Sequence, residues 1–399
     1  MQVEDTQMRR ARSAKTTPFE LHSRWDSSRV FHSGDEFFTA LEAALDAAQG
    51  RLDFESYIFA TDRIGQRILA ALARAAARGV KVRLLVDGIG SSAWTSDLRK
   101  WASSAGVQFK VFHQPPWERW WRGAEPGPRR TRLRETLRRL NNRNHRKVCI
   151  IDGRAAFVGS MNVIDCHVPS LSGAETWRDT GACVEGPEVE VLARSFEWVW
   201  FGSLRRLALR LRGAGRRDES SELVRLNTRR RQREENYLDL LVRIVGSARR
   251  VWITNAYFVP DGSLLRALAA AAQGGVDVRI LVPQFTDVWF IPWVASAFHL
   301  GLLRAGVRVF EYTGSVLHAK TMVVDDWALV GSSNLNHRSL LHDLEADVVL
   351  PDEKDRTSLE RQFMIDMESA QEVTIGTWQE RPWIERAIGR CLLLFRYVL

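Results

Sequence analysis

The sequence predicts an α/β protein made of two duplicated halves, and three observations carry that reading. Apolar alternating stretches of strand character are interleaved with helical spacing along most of the 399 residues. The order of these elements occurs twice, and Val80-Lys-Val-Arg-Leu-Leu-Val86 matches Val276-Asp-Val-Arg-Ile-Leu-Val282 almost position for position. Each half then closes on a hairpin-like stretch that opens with His-x-Lys and ends in Gly-Ser-x-Asn.

Residues 1–30 are polar and basic and read as a flexible lead. Residues 31–202 form the first half. Helical spacing runs from Glu36 to Ala48, and an alternating strand runs from Arg51 to Phe59. A helix over Ile64–Arg78, a strand over Val80–Asp87, a helix near 92–104 and a strand over Val107–His113 follow. The stretch Asn144–Asn162 supplies the hairpin, with Asp152-Gly153 at its turn. His145 and Lys147 are two apart on a strand, so they share a face.

Residues 203–235 read as a basic linker, with the densest charge at Arg229–Arg231. The second half, 236–371, repeats the order. It has a helix over Tyr237–Ser247, a strand over Arg250–Phe258, a helix over Ser263–Gln273 and a strand over Val276–Val282. A helix near 290–304, a strand over Val307–Tyr312 and the hairpin Leu317–Asn334 with His318 and Lys320 complete it. The tail 372–399 is apolar and basic, and reads either as a helix docked on the core or as an interfacial anchor. Residues 114–143 are an insertion of the first half that sets Trp117, Trp120 and Trp121 among arginines. A solvated loop and a segment lying at lipid headgroups are both consistent with that composition.

Net charge is +9, and only seven of the 57 basic residues are lysines. The excess implies a polyanionic partner, either anionic lipid or nucleic acid. A base-composition bias in the genome would also favour arginine. The four cysteines have no metal-like or paired spacing and read as reduced, which fits a cytoplasmic or cytoplasm-facing protein. The first thirty residues hold no apolar signal core. The longest apolar run, Val288–Leu303, is broken by Pro292 and His299, so no transmembrane helix is expected.

The twin motifs resemble the phospholipase D superfamily, whose signature is this His-Lys-Asp set with a downstream Gly-Ser-x-Asn. The resemblance implies two α/β/α sandwich halves related by a pseudo-two-fold axis and sharing one active site. It implies a catalytic set of His145, Lys147 and Asp152 with His318, Lys320 and Asp325. Ser160, Asn162, Ser332 and Asn334 would bind the phosphate. Asp179 and Glu345 match the family's acidic position that orients a histidine, and a carboxylate there would fix the tautomer of the ring. Asp152 and Asp325 sit at hairpin turns away from the His-Lys face, which points to holding the turn. Six residues separate Asp152 from Gly159, but five separate Asp325 from Gly331. A one-residue shortening within a strand would reverse its facing, so the deletion is expected to fall in the Asp325-Asp326 turn.

Displacement at a phosphodiester needs a nucleophile and a proton donor on the in-line opposite side. One neutral histidine can attack phosphorus to give a phosphohistidine while the other, protonated, supplies the leaving alkoxide. Lysines and amides stabilise the non-bridging oxygens, so no metal and no cofactor is needed. His145 is taken as nucleophile and His318 as acid, although the repeat would allow the reverse.

Finer features resemble bacterial cardiolipin synthases of the short type, without amino-terminal membrane spans. They are Glu55-Ser-Tyr-Ile-Phe59, Val86-Asp-Gly-Ile-Gly90, Trp177-Arg-Asp179, Glu185-Gly-Pro187, Asn255-Ala-Tyr-Phe-Val-Pro260, Val309-Phe-Glu-Tyr312 and Gly331-Ser-Ser-Asn-Leu335. This implies transfer of a phosphatidyl group from one phospholipid to the hydroxyl of phosphatidylglycerol or a related alcohol. The partners implied are anionic phospholipid and the cytoplasmic face of the cell membrane, bound peripherally, with nucleic acid ranked behind lipid. A phospholipase D or nuclease-type phosphodiesterase would use the same site. A non-catalytic membrane scaffold is opposed by both intact His-Lys pairs. Oligomeric state is not legible.

Overall fold

The first half is a seven-stranded mixed sheet that uses the repeat's alternating segments as its centre. In a computed structural model the described residues are 21, 23–114, 142–211, 221–288 and 290–392. Trp117, Trp120 and Trp121, the lead up to residue 20 and residues 393–399 of the tail lie outside them. The strands of the first half are β1 (Ser27–Phe31), β2 (Arg51–Ser56), β3 (Lys81–Asp87), β4 (Gln108–Phe112), β5 (Val148–Ile151), β6 (Ala155–Gly159) and β7 (Gly181–Glu185). Their order is β1-β7-β6-β5-β2-β3-β4, parallel across β2-β3-β4 and antiparallel elsewhere.

The second half contributes β8 (Val224–Leu226), β9 (Arg250–Asn255), β10 (Asp277–Pro283), β11 (Arg308–Tyr312), β12 (Lys320–Val324), β13 (Trp327–Gly331), β14 (Ala346–Val349) and β15 (Ala370–Val373). Read from the other edge, its order is β8-β14-β13-β12-β9-β10-β11, with β15 added beyond β11. The two sheets therefore repeat one topology strand for strand. Matching helices join matching strands: Arg63–Ala77 and Gly262–Gln273 are capped by Asp62 and Asp261, whose side chains accept first-turn N–H groups.

Side-chain alternation decides which core each residue joins. Cys149, Ile151 and Phe157 face a core shared with helices Gly34–Ala47 and Arg63–Ala77. Val148, Ile150, Ala156 and Val158 face the opposite way, into a core that also holds Val251, Ile253, Val323 and Val330 of the second half. The second core belongs to both sheets, so the halves bury one another.

Two stretches differ from expectation. The lead contains β1, which begins at Ser27, and the described residues of the linker 203–235 are largely regular. Helix Val189–Leu211 runs into the linker, β8 lies within it, and helix Arg230–Gly246 starts in it. β1 and β8 occupy the same edge of their sheets, so each half opens with a short edge strand too polar to announce itself. The described part of the tail is docked. Helix Trp383–Leu392 packs on helix Ile291–Arg304, and the buried Trp378 donates Nε1–H to the Ser296 carbonyl at 2.9 Å. Among the described residues no helix is long and apolar enough to cross a membrane.

Candidate active site

The residues preceding β5 are held by acids at the ends of neighbouring strands. Asp87, at the end of β3, takes the Arg143 guanidinium at 2.7 Å and the Asn144 N–H at 2.9 Å. Glu55 of β2 accepts from the Asn144 amide at 2.9 Å. His145 and Lys147 thus lie just ahead of the β5 ladder rather than in it, whereas Lys320 is the first residue of β12. Across the molecule, the His145 N–H donates to the Leu344 carbonyl at 3.0 Å and the His318 N–H to the Arg178 carbonyl at 2.8 Å. Each histidine is therefore stitched to the other half.

The carboxylates follow the same crossing. Nδ1 of His145 lies 3.0 Å from Oε1 of Glu345, and Nδ1 of His318 lies 2.7 Å from Oδ2 of Asp179. A carboxylate at Nδ1 fixes the tautomer and turns Nε2 outward for chemistry. Both histidines line one cavity of about 260 Å³, together with Asn162, Asn334, Tyr57, Trp177, Tyr257 and Arg338. One pocket thus holds both histidines and both motif asparagines.

Burial dominates the electrostatics. It holds His145 well below the usual imidazole range, helped by the charges of Lys147, Lys320 and Arg338. Burial and Lys320 take His318 down to about 3, with Asp179 pulling the other way. Burial lifts Glu345 to about 7 against the pull of Lys147. Asp179 goes the opposite way: burial would raise it, but His318 and His167 outweigh that and keep it well below the carboxylate range. The lysines are lowered by burial as well, Lys147 to about 7 and Lys320 to about 8. Their Nζ atoms donate to the carbonyls of His145 and His318.

Ser160 and Ser332 are not among the residues that line this cavity. The Ser160 hydroxyl donates to Asp179, and that of Ser332 donates to Glu345 at 2.5 Å. The preceding glycines enforce this close packing. A Cβ on Gly159 would lie 2.6 Å from the Gly181 Cα, and one on Gly331 would lie 2.0 Å from an Asp347 side-chain oxygen. Ser160 and Ser332 thereby sit directly against the acids of the adjoining strand ends.

Asp152 and Asp325 lie away from the cavity, in the hairpin turns. Asp152 accepts the N–H groups of Gln49, Gly50 and Arg51 at 2.7–3.0 Å, and Asp325 accepts those of Ala248, Arg249 and Arg250 at 2.8–2.9 Å. Each ties its hairpin to the start of a central strand. The missing residue of the second hairpin falls in the turn. Ile151 pairs with Ala155 across a three-residue loop, and Val324 pairs with Trp327 across a two-residue loop. Strand facing is preserved, and Asn334 reaches the cavity as Asn162 does.

Several residues at the site went unassigned from sequence. The Tyr57 ring stands 4.9 Å from that of His145, and Trp177 stands 5.5 Å from His318. Lys320 lies 6.0 Å from the Tyr257 ring and Lys147 lies 5.2 Å from that of Tyr57. The repeat carries a signal for the tyrosines, since each falls two residues beyond the polar residue that ends or nearly ends its strand, Glu55 and Asn255. Arg338 pairs with Asp343 at 3.0 Å on the cavity wall. Among the described residues one group could offer a metal three ligand atoms within 4.8 Å of one another: His167, Asp179 and His318, all buried. Its two imidazoles are already turned on the carboxylate.

The family model described as "Cardiolipin synthase, PLD-like domain" matches residues 41–200 and 240–367. A cardiolipin synthase of Clostridium perfringens (strain SM101) is 31% identical over 374 residues, spanning 91% of this chain and 75% of that protein. Cardiolipin synthase A of Pseudomonas putida (strain W619) is 32% identical over 348 residues, 87% of this chain and 69% of that one. The crystal structure of phosphatidylserine synthase from Haemophilus influenzae superposes with a TM-score of 0.68, covering 98% of this chain and 100% of that one. At 13% identity, that likeness concerns the fold.

Proposed function

The chain belongs to the cardiolipin synthase family of phospholipase D-like proteins, and on that premise we propose that it moves a phosphatidyl group between phospholipids through a phosphohistidine on His145. The observation that carries this reading is a single cavity holding both histidines, each backed by a carboxylate from the opposite half. Nε2 of neutral His145 attacks phosphorus. The P–O bond to the first headgroup breaks as His318, protonated, delivers its proton to the departing alkoxide. The acceptor hydroxyl then returns a proton to His318 while its oxygen attacks phosphorus and the P–N bond breaks. With phosphatidylglycerol as both donor and acceptor, the products are cardiolipin and glycerol.

Both imidazoles are buried close to lysine ammonium groups, and burial and those charges favour their neutral forms. A bound phosphodiester brings the anion that makes a proton on one of them favourable. Asn162 and Asn334, with the ammonium groups of Lys147 and Lys320, are suited to the charge that builds on the non-bridging oxygens. Phosphatidylglycerol and an anionic membrane surface fit the basic composition.

Product analysis tests this. Purified protein is given phosphatidylglycerol vesicles, with and without phosphatidylethanolamine, in the presence of a chelator. Cardiolipin that disappears in both His145→Ala and His318→Ala is the expected result. Phosphatidic acid alone would make the protein a hydrolase, and turnover abolished by the chelator would remove the metal-free mechanism.

A further inference from the structure

A phospholipid brings long acyl chains with its headgroup, and the cavity has no room for them. Its volume of about 260 Å³ falls below the roughly 300–1,000 Å³ of ordinary small-molecule pockets. That is enough for a phosphate and a polar headgroup. A lipid can reach the histidines only with its chains left outside, so the cavity mouth must lie at the level of the headgroups. Such a position calls for apolar tips that pass below the headgroups, with polar or cationic groups beside them.

Both are present. On the His145 side, Arg338 lines the cavity and its Nε–H donates to Asp343 at 3.0 Å. Asp343 in turn accepts the N–H of Arg143, two residues before His145, at 3.0 Å. The terminal NH2 groups of Arg338 have no hydrogen-bond partner among the described residues, and its side chain is 33% exposed. Leu341 follows three residues later in the short helix His337–Leu341, on the same face, and is 49% exposed. On the His318 side, Lys320 donates to the His318 carbonyl and its Nζ stands 6.0 Å from the Tyr257 ring, whose hydroxyl donates to Asp287. Asp287 and Val288 line the cavity. Phe285 lies just ahead of them, in the stretch that joins β10 to helix Ile291–Arg304, and is 60% exposed.

Exposed apolar side chains scattered singly are ordinary. These two flank one mouth, and the cavity behind it cannot take in the whole substrate. We propose that this mouth docks on the lipid bilayer: Phe285 and Leu341 insert among the acyl chains from either side of the cavity, Arg338 meets a headgroup phosphate, and a phospholipid reaches His145 and His318 without leaving the membrane. This rests on the phosphatidyl-transfer reading above. Asp287 and Asp343 offset the charge of Arg338, so the contact is apolar rather than coulombic. It also lies at the mouth and not on the tail helix Trp383–Leu392, whose Trp383 is 71% exposed.

The test sets vesicles against dispersed lipid, using the full chain. Flotation with phosphatidylglycerol vesicles reads binding. Turnover of a short-chain phosphatidylglycerol below its micellar concentration reads the chemistry without a surface. Phe285→Ser and Leu341→Ser should each weaken vesicle binding about tenfold, and the double variant about a hundredfold. The factors should be the same at low and high salt, because screening does not touch an apolar contact. Turnover of vesicle lipid should fall in step at low lipid concentration, with turnover of the short-chain lipid unchanged. A parent that does not float, or a double variant that floats as well as the parent, overturns the proposal. Release by Trp383→Ser, with the double variant still bound, overturns it by moving the anchor to the tail helix. Equal losses on vesicles and on dispersed lipid overturn it by making Phe285 and Leu341 parts of the cavity. An altered oligomeric state with vesicle binding intact overturns it by assigning both side chains to a second copy. A parent that floats through these residues yet turns over neither form of lipid would defeat the transfer reading and leave the docking surface standing.

Discussion

Lys147 and Lys320 sit where burial opposes their charge, and Glu345 sits where burial opposes its own. The two effects converge on a narrow pH band. As pH rises through about 7, Glu345 loses its proton and gains the charge that holds His145. As pH rises through about 7 and 8, Lys147 and Lys320 lose the charges that would meet the phosphate. The expected kcat/KM profile is therefore a bell with its maximum near neutrality, falling on both sides. A bound phosphodiester favours the ammonium forms, so the alkaline limb of kcat should lie above that of kcat/KM. Lys147→Arg, whose charge persists, should push the kcat/KM alkaline limb upward at some loss of rate, and an unmoved limb would take Lys147 out of the profile. Glu345→Gln should lower kcat by about one to two orders of magnitude with little change in KM. The local spacing of His145, Lys147, His318 and Lys320 made these residues visible in sequence. The crossing of the acids was not visible, because 200 residues separate His145 from Glu345 and no local pattern encodes that contact. Ser160 and Ser332, implied as phosphate ligands by the resemblance, donate their hydroxyls to Asp179 and Glu345, and a motif alone does not report which way a hydroxyl points.

Hairpin turns show what an element needs beyond its strands. Asp152 and Asp325 have left-handed backbones, with φ of 51° and 49°, a region in which Asp is tolerated better than most residues. Each carboxylate also collects three N–H groups from the segment leading into a central strand. Asp152→Ala is expected to lower stability by about 2 kcal/mol, through the lost acceptor and the strained backbone, with kcat within about threefold. Denaturant unfolding and steady-state rates would check it, and an unchanged midpoint with a hundredfold lower kcat would return Asp152 to the chemistry. Inserting Gly between Asp325 and Asp326 restores a three-residue loop and should leave both stability and activity nearly intact, since neither strand changes face. Central strands and helices were legible because a buried strand or amphipathic helix must repeat its apolar residues at a fixed period. β1 and β8 were not: Ser-Ser-Arg-Val-Phe and Val-Arg-Leu are too short and too polar to show a period, and pairing at a sheet edge defines them.

At the scale of the molecule, neither half is a complete unit. Val148, Ile150 and Val158 share their core with Val323 and Val330, so separating the halves would expose an apolar sheet face on each. The proposed catalytic arrangement is divided in the same way, since each half supplies one histidine and the acid for the other half's histidine. Chemistry and packing therefore predict the same outcome for a chain cut between residues 212 and 220. Either piece expressed alone should be inactive and poorly soluble, and co-expression should restore transfer. Activity from the first piece alone would contradict the crossed geometry. A subtler version keeps the chain whole. Asp179→Asn and His318→Ala should each lower kcat, but the double variant should lose no more than His318→Ala alone, because the acid acts through that ring. Asp179→Asn combined with Asp152→Ala should instead show additive losses, since those carboxylates serve different structures. Additivity in the first pair would mean that Asp179 acts on the reaction by some route other than the histidine of the opposite half. The duplicated fold would then be two sites side by side rather than one site assembled from both.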